Sequence, residues 1–157
     1  IAPDLQHDDL ATIVEICVEA GVSGIIATNT TIDRPNGLNG VHAGEVGGLS
    51  GAPLFAASTD ILAEVVRLSQ NRLGLIGVGG VSAGWQAYAK ILVGADMLQL
   101  YTGLALEGPH LPSRILQELS HMLDADGAAR LDQIKGQIID PVAAIKHAIG
   151  LYEGLSK

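Results

Sequence analysis

The sequence predicts an α/β protein with parallel strands, on three observations. Apolar residues make up 48% of the 157 residues and charged residues only 17%, so the chain can bury the core of one ordinary domain. Short apolar runs alternate with longer amphipathic segments, which is the order of a β/α protein. The apolar residues are mainly leucine, isoleucine, valine and alanine, with 3% aromatics and 20 glycines. That composition favours buried parallel strands that end in tight turns.

The first third of the chain is predicted to hold a helix between two strands. Ile1-Ala2 indicates the end of one strand, and residues 24–28 form the other by their length and β-branching. A polar loop follows over residues 29–53, and a loop of this length is usually functional or disordered. Its turn signals are Pro35-Asn36-Gly37 and Asn39-Gly40. The helix between the strands is capped by Asp8 or Asp9, ends at Gly21 and has Leu10, Ile13, Val14 and Cys17 on its apolar face.

Two further strands, each followed by a helix, are predicted over the rest of the chain. The strands are residues 75–78 and 97–101. Short links on one side imply parallel strands with right-handed crossovers, and the pattern alone fits either half of an eight-stranded barrel or a small doubly wound sheet. Asp140 and Pro141 start one more helix without a strand before it, which we interpret as accessory. The apolar helix faces are Ile61, Leu62, Val65 and Leu68; then Ala87, Ile91 and Leu92, capped by Ser82 and ending at Gly94; then Ile115, Leu116, Leu119 and Leu123 after Pro112; and finally Val142, Ile145, Ile149 and Tyr152.

Composition excludes several classes of partner and site. A net charge of −8, with nine scattered Lys and Arg residues, argues against nucleic acid and against direct binding of an anionic membrane surface. Cys17 is the only cysteine, so an internal disulfide and a thiolate metal cluster are both excluded. The five histidines show no metal-ligand spacing. Trp85 and Tyr88 are expected to be packing residues. No run of 18 apolar residues is present, so no segment is expected to span a bilayer.

Glycine turns at the ends of two predicted strands indicate a phosphate site. Gly77-Val78-Gly79-Gly80 leads into the helix capped by Ser82, and Tyr101-Thr102-Gly103 ends the next strand. Glycines let an anion approach backbone N–H groups, and a helix start adds a favourable partial charge. A tight strand-to-helix turn is the favoured interpretation of Gly79-Gly80 alone, but the two motifs together favour a phosphate cradle.

Two other motifs suggest a ring-binding site. Thr28-Asn29-Thr30-Thr31 places four polar side chains after a buried strand, and the Asn29 carboxamide can pair with the C=O and N–H groups of a pyrimidine ring. An Asx or Ser/Thr turn without a ligand is equally compatible with this motif. Gly47-Gly48-Leu49-Ser50-Gly51 could admit a flat ring or could simply make the loop flexible.

These motifs together resemble the class 2 dihydroorotate dehydrogenases, flavin enzymes that pass electrons to a quinone. The resemblance covers about residues 1 to 136, in family order and with family-like spacing. The Thr-Asn-Thr-Thr and Gly-Gly-Leu-Ser-Gly blocks point to class 2 rather than to the soluble class 1 enzymes. The matching blocks are Ile1-Ala2-Pro3-Asp4-Leu5, Thr28-Asn29-Thr30-Thr31, Gly47-Gly48-Leu49-Ser50-Gly51, Ile76-Gly77-Val78-Gly79-Gly80, Leu100-Tyr101-Thr102-Gly103 and Gly108-Pro109.

The resemblance implies the C-terminal half of a (β/α)8 TIM barrel. Residues 1–136 would form half of an FMN-binding barrel and residues 137–157 an accessory helix, because the tail from about Ile138 departs from the family pattern. Asn29 and Thr30 would bind dihydroorotate or orotate. The residues implied in FMN binding are Thr28, Gly51, Gly79, Gly80, Tyr101 and Thr102.

The resemblance also implies what this chain does not supply. The family's catalytic serine lies in an earlier loop that has no counterpart here, and a lysine expected immediately before Ile1 is absent. No catalytic residue and no metal ligand is therefore expected in this chain, and the chain alone is expected to be inactive. The intact protein would oxidise dihydroorotate to orotate in pyrimidine biosynthesis and reduce a quinone. Membrane association, at a bacterial or mitochondrial inner membrane, would come only through the missing N-terminal part.

Two alternative functions remain open from the sequence. One is another FMN-binding barrel oxidoreductase with a different substrate. The other is a non-catalytic half-barrel that binds a phosphate or a flavin without redox chemistry. In each case the half-barrel would leave two sheet edges and an apolar face uncovered, so we expect the isolated chain to dimerise, to aggregate or to need its missing half.

Overall fold

The computed structural model describes residues 1–35, 38 and 40–155. The predicted turn signals at Asn36, Gly37 and Asn39 lie outside the described residues. Short 3-10 turns at Ala52–Leu54 and Leu131–Gln133 connect longer elements. The strands are β1 (Gly24–Ala27), β2 (Gly74–Val78) and β3 (Met97–Gln99), and the helices are α1 (His7–Glu19), α2 (Phe55–Ser69), α3 (Gly84–Val93), α4 (Thr102–Glu107), α5 (Leu111–Ala125) and α6 (Pro141–Gly154).

The three strands form one parallel sheet in the order β1-β2-β3. Ile26 pairs with Ile76, and Ile76 pairs with Met97, so these three residues form a row across the sheet. Since all strands run the same way, their carboxyl ends meet at one edge, and the segments that follow β1, β2 and β3 are brought together there. The prediction of parallel strands joined by crossover helices is confirmed.

The two faces of the sheet differ in how they are covered. Ile25, Ala27 and Leu75 point toward the helices and are buried. On the opposite face, Ile26 is 44% exposed and Met97 is 61% exposed. We call the row Ile26, Ile76 and Met97 the inner face, because it would face the axis if the sheet closed into a barrel. An apolar row of this kind is normally covered by protein.

Ile1-Ala2 was predicted to be the end of a strand. The structure has no strand there, but the segment lies beside β1 as a strand end would. The Ile1 nitrogen donates to the Ile26 carbonyl at 3.0 Å, and Asn29 N donates to the Ile1 carbonyl at 2.8 Å. The segment therefore runs beside β1, but it is too short to be a strand. The helix that follows begins at His7 with Gln6 as its N-cap, so Asp8 and Asp9 lie in its first turn. Carboxylates there are favourable beside the positive end of the helix.

Helix α3 lies at the centre of the helical layer. Sequence periodicity predicted one apolar face on α3, but Gly84 and residues 86–93 are all buried. The reason is that α3 packs against α2, α5 and α6 at once. Ala144 and Ala148 of α6 are fully buried, and small side chains at such a contact let two helices approach closely.

Helix α6 has the N-cap that the sequence predicted. The Asp140 carboxylate accepts a hydrogen bond from Ala143 N at 2.7 Å, which satisfies one of the free N–H groups at the helix start. Pro141 occupies the first turn, where its missing N–H is not needed. The helix packs on α3 and α5, and the division of the chain at residue 137 stays a prediction.

None of the helices in the described part of the chain is both long enough and apolar enough to cross a bilayer.

Candidate active site

The segments that follow the three strands line one cavity of about 270 Å³ at the carboxyl edge of the sheet. This volume is slightly below the roughly 300–1,000 Å³ that is usual for small-molecule sites. The structure brings together all eight residues that the sequence singled out: Thr28, Asn29, Thr30, Gly51, Gly79, Gly80, Tyr101 and Thr102. Their roles toward a ligand stay predictions.

The turn Gly79-Gly80 packs so closely on α2 that only glycine fits. Gly79 and Gly80 have φ values of +109° and +72°, a backbone region that other residues rarely adopt. A Cβ at Gly80 would lie 2.5 Å from the Phe55 Cα, and a Cβ at Gly79 would lie 2.8 Å from the Ser58 Cβ. The turn therefore presents bare backbone to the cavity.

Ser50 and Thr102 join the glycine-rich loop to the turn after β3. Thr102 Oγ1 donates to Ser50 Oγ at 2.9 Å, and a Cβ at Gly51 would lie 3.2 Å from Thr102 Cγ2. Sequence reasoning noted the Gly47-Gly48-Leu49-Ser50-Gly51 motif but did not select Ser50 as a site residue. The position of Ser50 next to Gly51 could have indicated it. Gln99 of β3 also lines the cavity, and no feature of the sequence indicated that residue.

The segment after β1 is held by hydrogen bonds to β2 and within the segment itself, and one side-chain N–H donor remains free. Thr28 N donates to the Val78 carbonyl at 3.0 Å, and Thr28 Oγ1 donates to the Asn29 carbonyl at 2.9 Å. Asn29 Oδ1 accepts from Thr30 N at 2.8 Å, a contact with the next residue and not the i to i+2 bond of an Asx turn. A Ser/Thr turn forms at Thr31, whose Oγ1 accepts from Asp33 N at 2.9 Å. Within the described residues, Asn29 Nδ2 has no acceptor, and this amide group remains for a ligand.

Thr31 belongs to the same motif but has a structural role. Its hydroxyl donates to the Asp4 carboxylate. Its backbone N donates to the Leu49 carbonyl at 3.1 Å, and Leu49 N donates back to the Thr31 carbonyl at 2.7 Å. These contacts bring the two ends of the long loop together beside the cavity.

Three N–H groups at the start of α3, where the sequence predicted a favourable partial charge for an anion, are bonded within the protein. The N-cap is Ala83 rather than Ser82. Gln86 Oε1 accepts from Ser82 N at 2.7 Å and from Ala83 N at 2.9 Å, and the Glu118 carboxylate accepts from Gly84 N. These N–H groups are already satisfied, and Glu118 places a negative charge where an anion was expected.

Other backbone N–H groups remain available at the cavity. The hydrogen bonds of the described residues give no acceptor to the N–H groups of Gly79, Gly80, Thr102 and Gly103. Thr102 begins the short helix α4, which the sequence did not predict because six residues carry no readable periodicity. Phosphate in β/α barrels often binds between the loops after two neighbouring strands and the start of such a short helix. The cavity therefore has the donor set of an anion site.

The remaining candidates from the sequence lie outside the cavity. No cluster of His, Cys, Asp and Glu that could hold a metal occurs over residues 1–35, 38 and 40–155. Trp85 packs edge-on against Phe55 with ring centroids 5.1 Å apart. Tyr88 is buried, and its hydroxyl donates to Asp126 at 2.6 Å; burial and this carboxylate raise the pKa of Tyr88. Cys17 is partly buried against the core.

Comparison with known proteins identifies relatives of this arrangement. The family model described as dihydroorotate dehydrogenase matches residues 1–123. A dihydroorotate dehydrogenase (quinone) of Parvibaculum lavamentivorans is 50% identical over 136 residues, which are 87% of this chain and 39% of that protein. The corresponding enzyme of Rhodospirillum rubrum is 46% identical over 136 residues, which are 87% of this chain and 37% of that protein.

A solved structure shows the same fold. The crystal structure of DHODH from Eimeria tenella in complex with ferulenol superposes with a TM-score of 0.84 at 35% identity, and the match covers 87% of this chain and 36% of that one. The chain therefore spans well under half of the length of the relatives that it matches.

Proposed function

The chain belongs to the dihydroorotate dehydrogenase family, and from that premise we propose that the protein containing it oxidises dihydroorotate to orotate and passes the electrons to a quinone. One observation carries the proposal: the free N–H groups of Gly79-Gly80 and Thr102-Gly103 border the same cavity as the Asn29 carboxamide. These groups would suit the phosphate of a cofactor and the paired polar groups of a small ring. This reaction is a step of pyrimidine biosynthesis.

The phosphate-bearing group is proposed to be FMN, held by Thr28, Gly51, Gly79, Gly80, Tyr101 and Thr102. The fit rests on the bare backbone of the two turns and on their unpaired N–H groups, which suit a phosphate. Gly51 leaves room beside Thr102, because a Cβ there would meet the threonine methyl group at 3.2 Å. When bound, a flavin supplies the acceptor for a hydride.

Asn29 and Thr30 are proposed to orient the substrate ring. The Asn29 Nδ2 group can donate to a ring carbonyl, and the Thr30 hydroxyl can donate or accept beside it. Both residues are exposed at the cavity, as ligand-binding groups must be. Orientation matters because oxidation removes a proton from C5 and a hydride from C6, and the electron pair of the C5–H bond then forms the C5=C6 double bond.

The base that removes the C5 proton is proposed to come from outside this chain. Among the described residues, no carboxylate, imidazole, amine or thiol lines the cavity. The serine among these lining residues, Ser50, accepts a hydrogen bond from Thr102 at 2.9 Å, and we assign it to that loop contact and not to proton removal. The uncovered inner face, with Ile26 44% exposed and Met97 61% exposed, indicates the same missing partner: the other half of a barrel. Membrane association is likewise assigned to that part of the protein.

Binding of orotate to the full-length gene product tests this function. We expect orotate to perturb the absorption spectrum of the bound flavin, and Asn29→Ala to weaken orotate binding about tenfold, since a hydrogen bond to a buried polar ligand is worth about 1–1.5 kcal/mol. Gln117→Ala, which removes an exposed carboxamide from α5, is the matched control and should leave binding unchanged. Normal flavin content with an unaltered orotate Kd in Asn29→Ala would contradict the assignment.

A further inference from the structure

Lys90 is a fully buried cation beneath the turn that borders the cavity. Its relative exposure is 0%. Its Nζ donates to Ser58 Oγ at 2.8 Å and to Thr59 Oγ1 at 3.1 Å, and it lies 5.4 Å from the centroid of the Phe55 ring. Among the described residues no carboxylate lies within ion-pair distance of this ammonium. A buried charge whose hydrogen-bond partners are only hydroxyl groups is energetically costly, and such groups are found most often at functional sites.

The ammonium is connected to the turn through Ser58. The Ser58 hydroxyl has one hydrogen, and its oxygen lies 3.0 Å from both the Gly79 and the Phe55 carbonyl oxygens. Thr59 Oγ1 already donates to the Phe55 carbonyl at 2.7 Å. Because the Phe55 carbonyl already accepts from Thr59, we infer that the single serine hydrogen goes to the Gly79 carbonyl while Lys90 donates to the serine oxygen. In such a chain each hydrogen bond polarises the next.

This connection fixes the direction of the Gly80 N–H group. The Gly79–Gly80 peptide bond is trans, and in a trans peptide unit the C=O and the following N–H point in opposite directions. The Gly79 carbonyl faces Ser58 in the protein interior. The Gly80 N–H group therefore points away from Ser58, and Gly80 itself lines the cavity.

We propose that Lys90 is a positioning residue for the bound anion: through Ser58 it holds the Gly80 N–H toward the cavity, and it places a positive charge directly behind that N–H. The inference rests on the proposed function, because it takes the anion to be the phosphate of FMN. None of the described residues that line the cavity is a lysine or an arginine, and the chain as a whole carries a charge of −8. Lys90 then supplies positive charge behind the cradle without occupying the cavity.

The protonation state of Lys90 sets the conditions of the test. Burial lowers the pKa of Lys90 to about 7, and the nearby Asp60 carboxylate opposes this shift. A phosphate dianion in the cavity would further favour the charged form. Binding is therefore measured at pH 6.5.

The experiment compares FMN with riboflavin, which carries the same ring system but no phosphate. Kd values for both flavins are measured by fluorescence quenching on the apoprotein of the full-length gene product. Lys90→Met and Ser58→Ala should each weaken FMN binding about tenfold and change riboflavin binding less than twofold, since the oriented Gly80 N–H group and the charge behind it act only on a phosphate. Lys146→Met, which removes the same charge from the exposed side of α6, should change neither Kd.

The outcomes separate this inference from its premise. An equal loss of FMN and riboflavin affinity would show that Lys90 is only structural, and unchanged Kd values for both flavins would equally overturn the inference. If Lys90→Met does not fold, Ser58→Ala decides, because it breaks the connection and leaves Lys90 bonded to Thr59. Equal affinity of the unmodified protein for the two flavins would contradict the proposed cofactor itself.

Discussion

At the scale of single residues, Lys90 shows the limit of pattern reading. Lysine is rarely buried, and nothing in the sequence indicated Lys90 as a buried residue. It is buried because Ser58 and Thr59, which lie 32 and 31 positions earlier in the chain, supply hydroxyl partners from another helix. By contrast, Gly80 and Asn29 could be selected from the sequence, because glycine and asparagine at strand ends have local conformational and hydrogen-bonding meaning.

Lys90 should also make stability depend on pH. Its pKa is about 7 in the folded apoprotein against an ordinary value of 10.5, so between these values the unfolded chain binds one proton more than the folded one. The free energy of unfolding should therefore rise with pH above 7, whereas below pH 7 the cost of the buried charge is present in full.

Urea denaturation of the full-length apoprotein at pH 6.5, 7, 8 and 9 measures this effect. Relative to Lys90→Met, the unmodified protein should gain about 2 kcal/mol between pH 7 and 9. Parallel pH profiles for the two proteins would show that the ammonium is not desolvated.

At the scale of elements, the strands and long helices could be predicted, but their junctions could not. The predicted strands at residues 24–28 and 97–101 end earlier, at Ala27 and Gln99, because their last residues turn into the cavity. Helix α4 was missed for its shortness. The N-cap of α3 was misplaced because Gln86 reaches back to the N–H groups of Ser82 and Ala83. The position of Gln86, three residues after Ala83, was the available signal.

This glutamine contact gives a prediction for the start of α3. Gln86→Met keeps the volume of a buried side chain but leaves two N–H groups without their acceptor, so we expect a loss of about 1–3 kcal/mol in the free energy of unfolding. Gln117→Met on the exposed side of α5 is the control and should stay within about 0.5 kcal/mol of the unmodified protein. Urea denaturation of both variants makes the comparison, and equal stabilities would mean that water replaces the Gln86 oxygen.

At the scale of the whole molecule, the sheet is covered on one side only. Helix α2 packs against β1 and β2, and α3 packs against β3. Ile25, Ala27 and Leu75 are buried, while the inner face remains open. The match to relatives over 36–39% of their length agrees with a fold whose other strands would cover this row. From the number of strands, the sequence could predict that further strands must cover the sheet. The register that aligns Ile26, Ile76 and Met97 required the structure.

The open inner face predicts the behaviour of the isolated 157-residue chain. Ile26 and Met97 flank Ile76 in one row, so two copies can bury this apolar surface against each other, and we expect dimers or larger species by multi-angle light scattering. An Ile26→Lys, Met97→Lys double variant should shift the distribution toward monomer, because a lysine on each edge strand opposes association. Leu116→Lys, at a leucine of α5 that is 65% exposed but lies in the helical layer, should leave the distribution unchanged. If the unmodified chain is a monodisperse monomer at high concentration, exposure of the inner face does not drive association. The chain would then not need another half to cover that face.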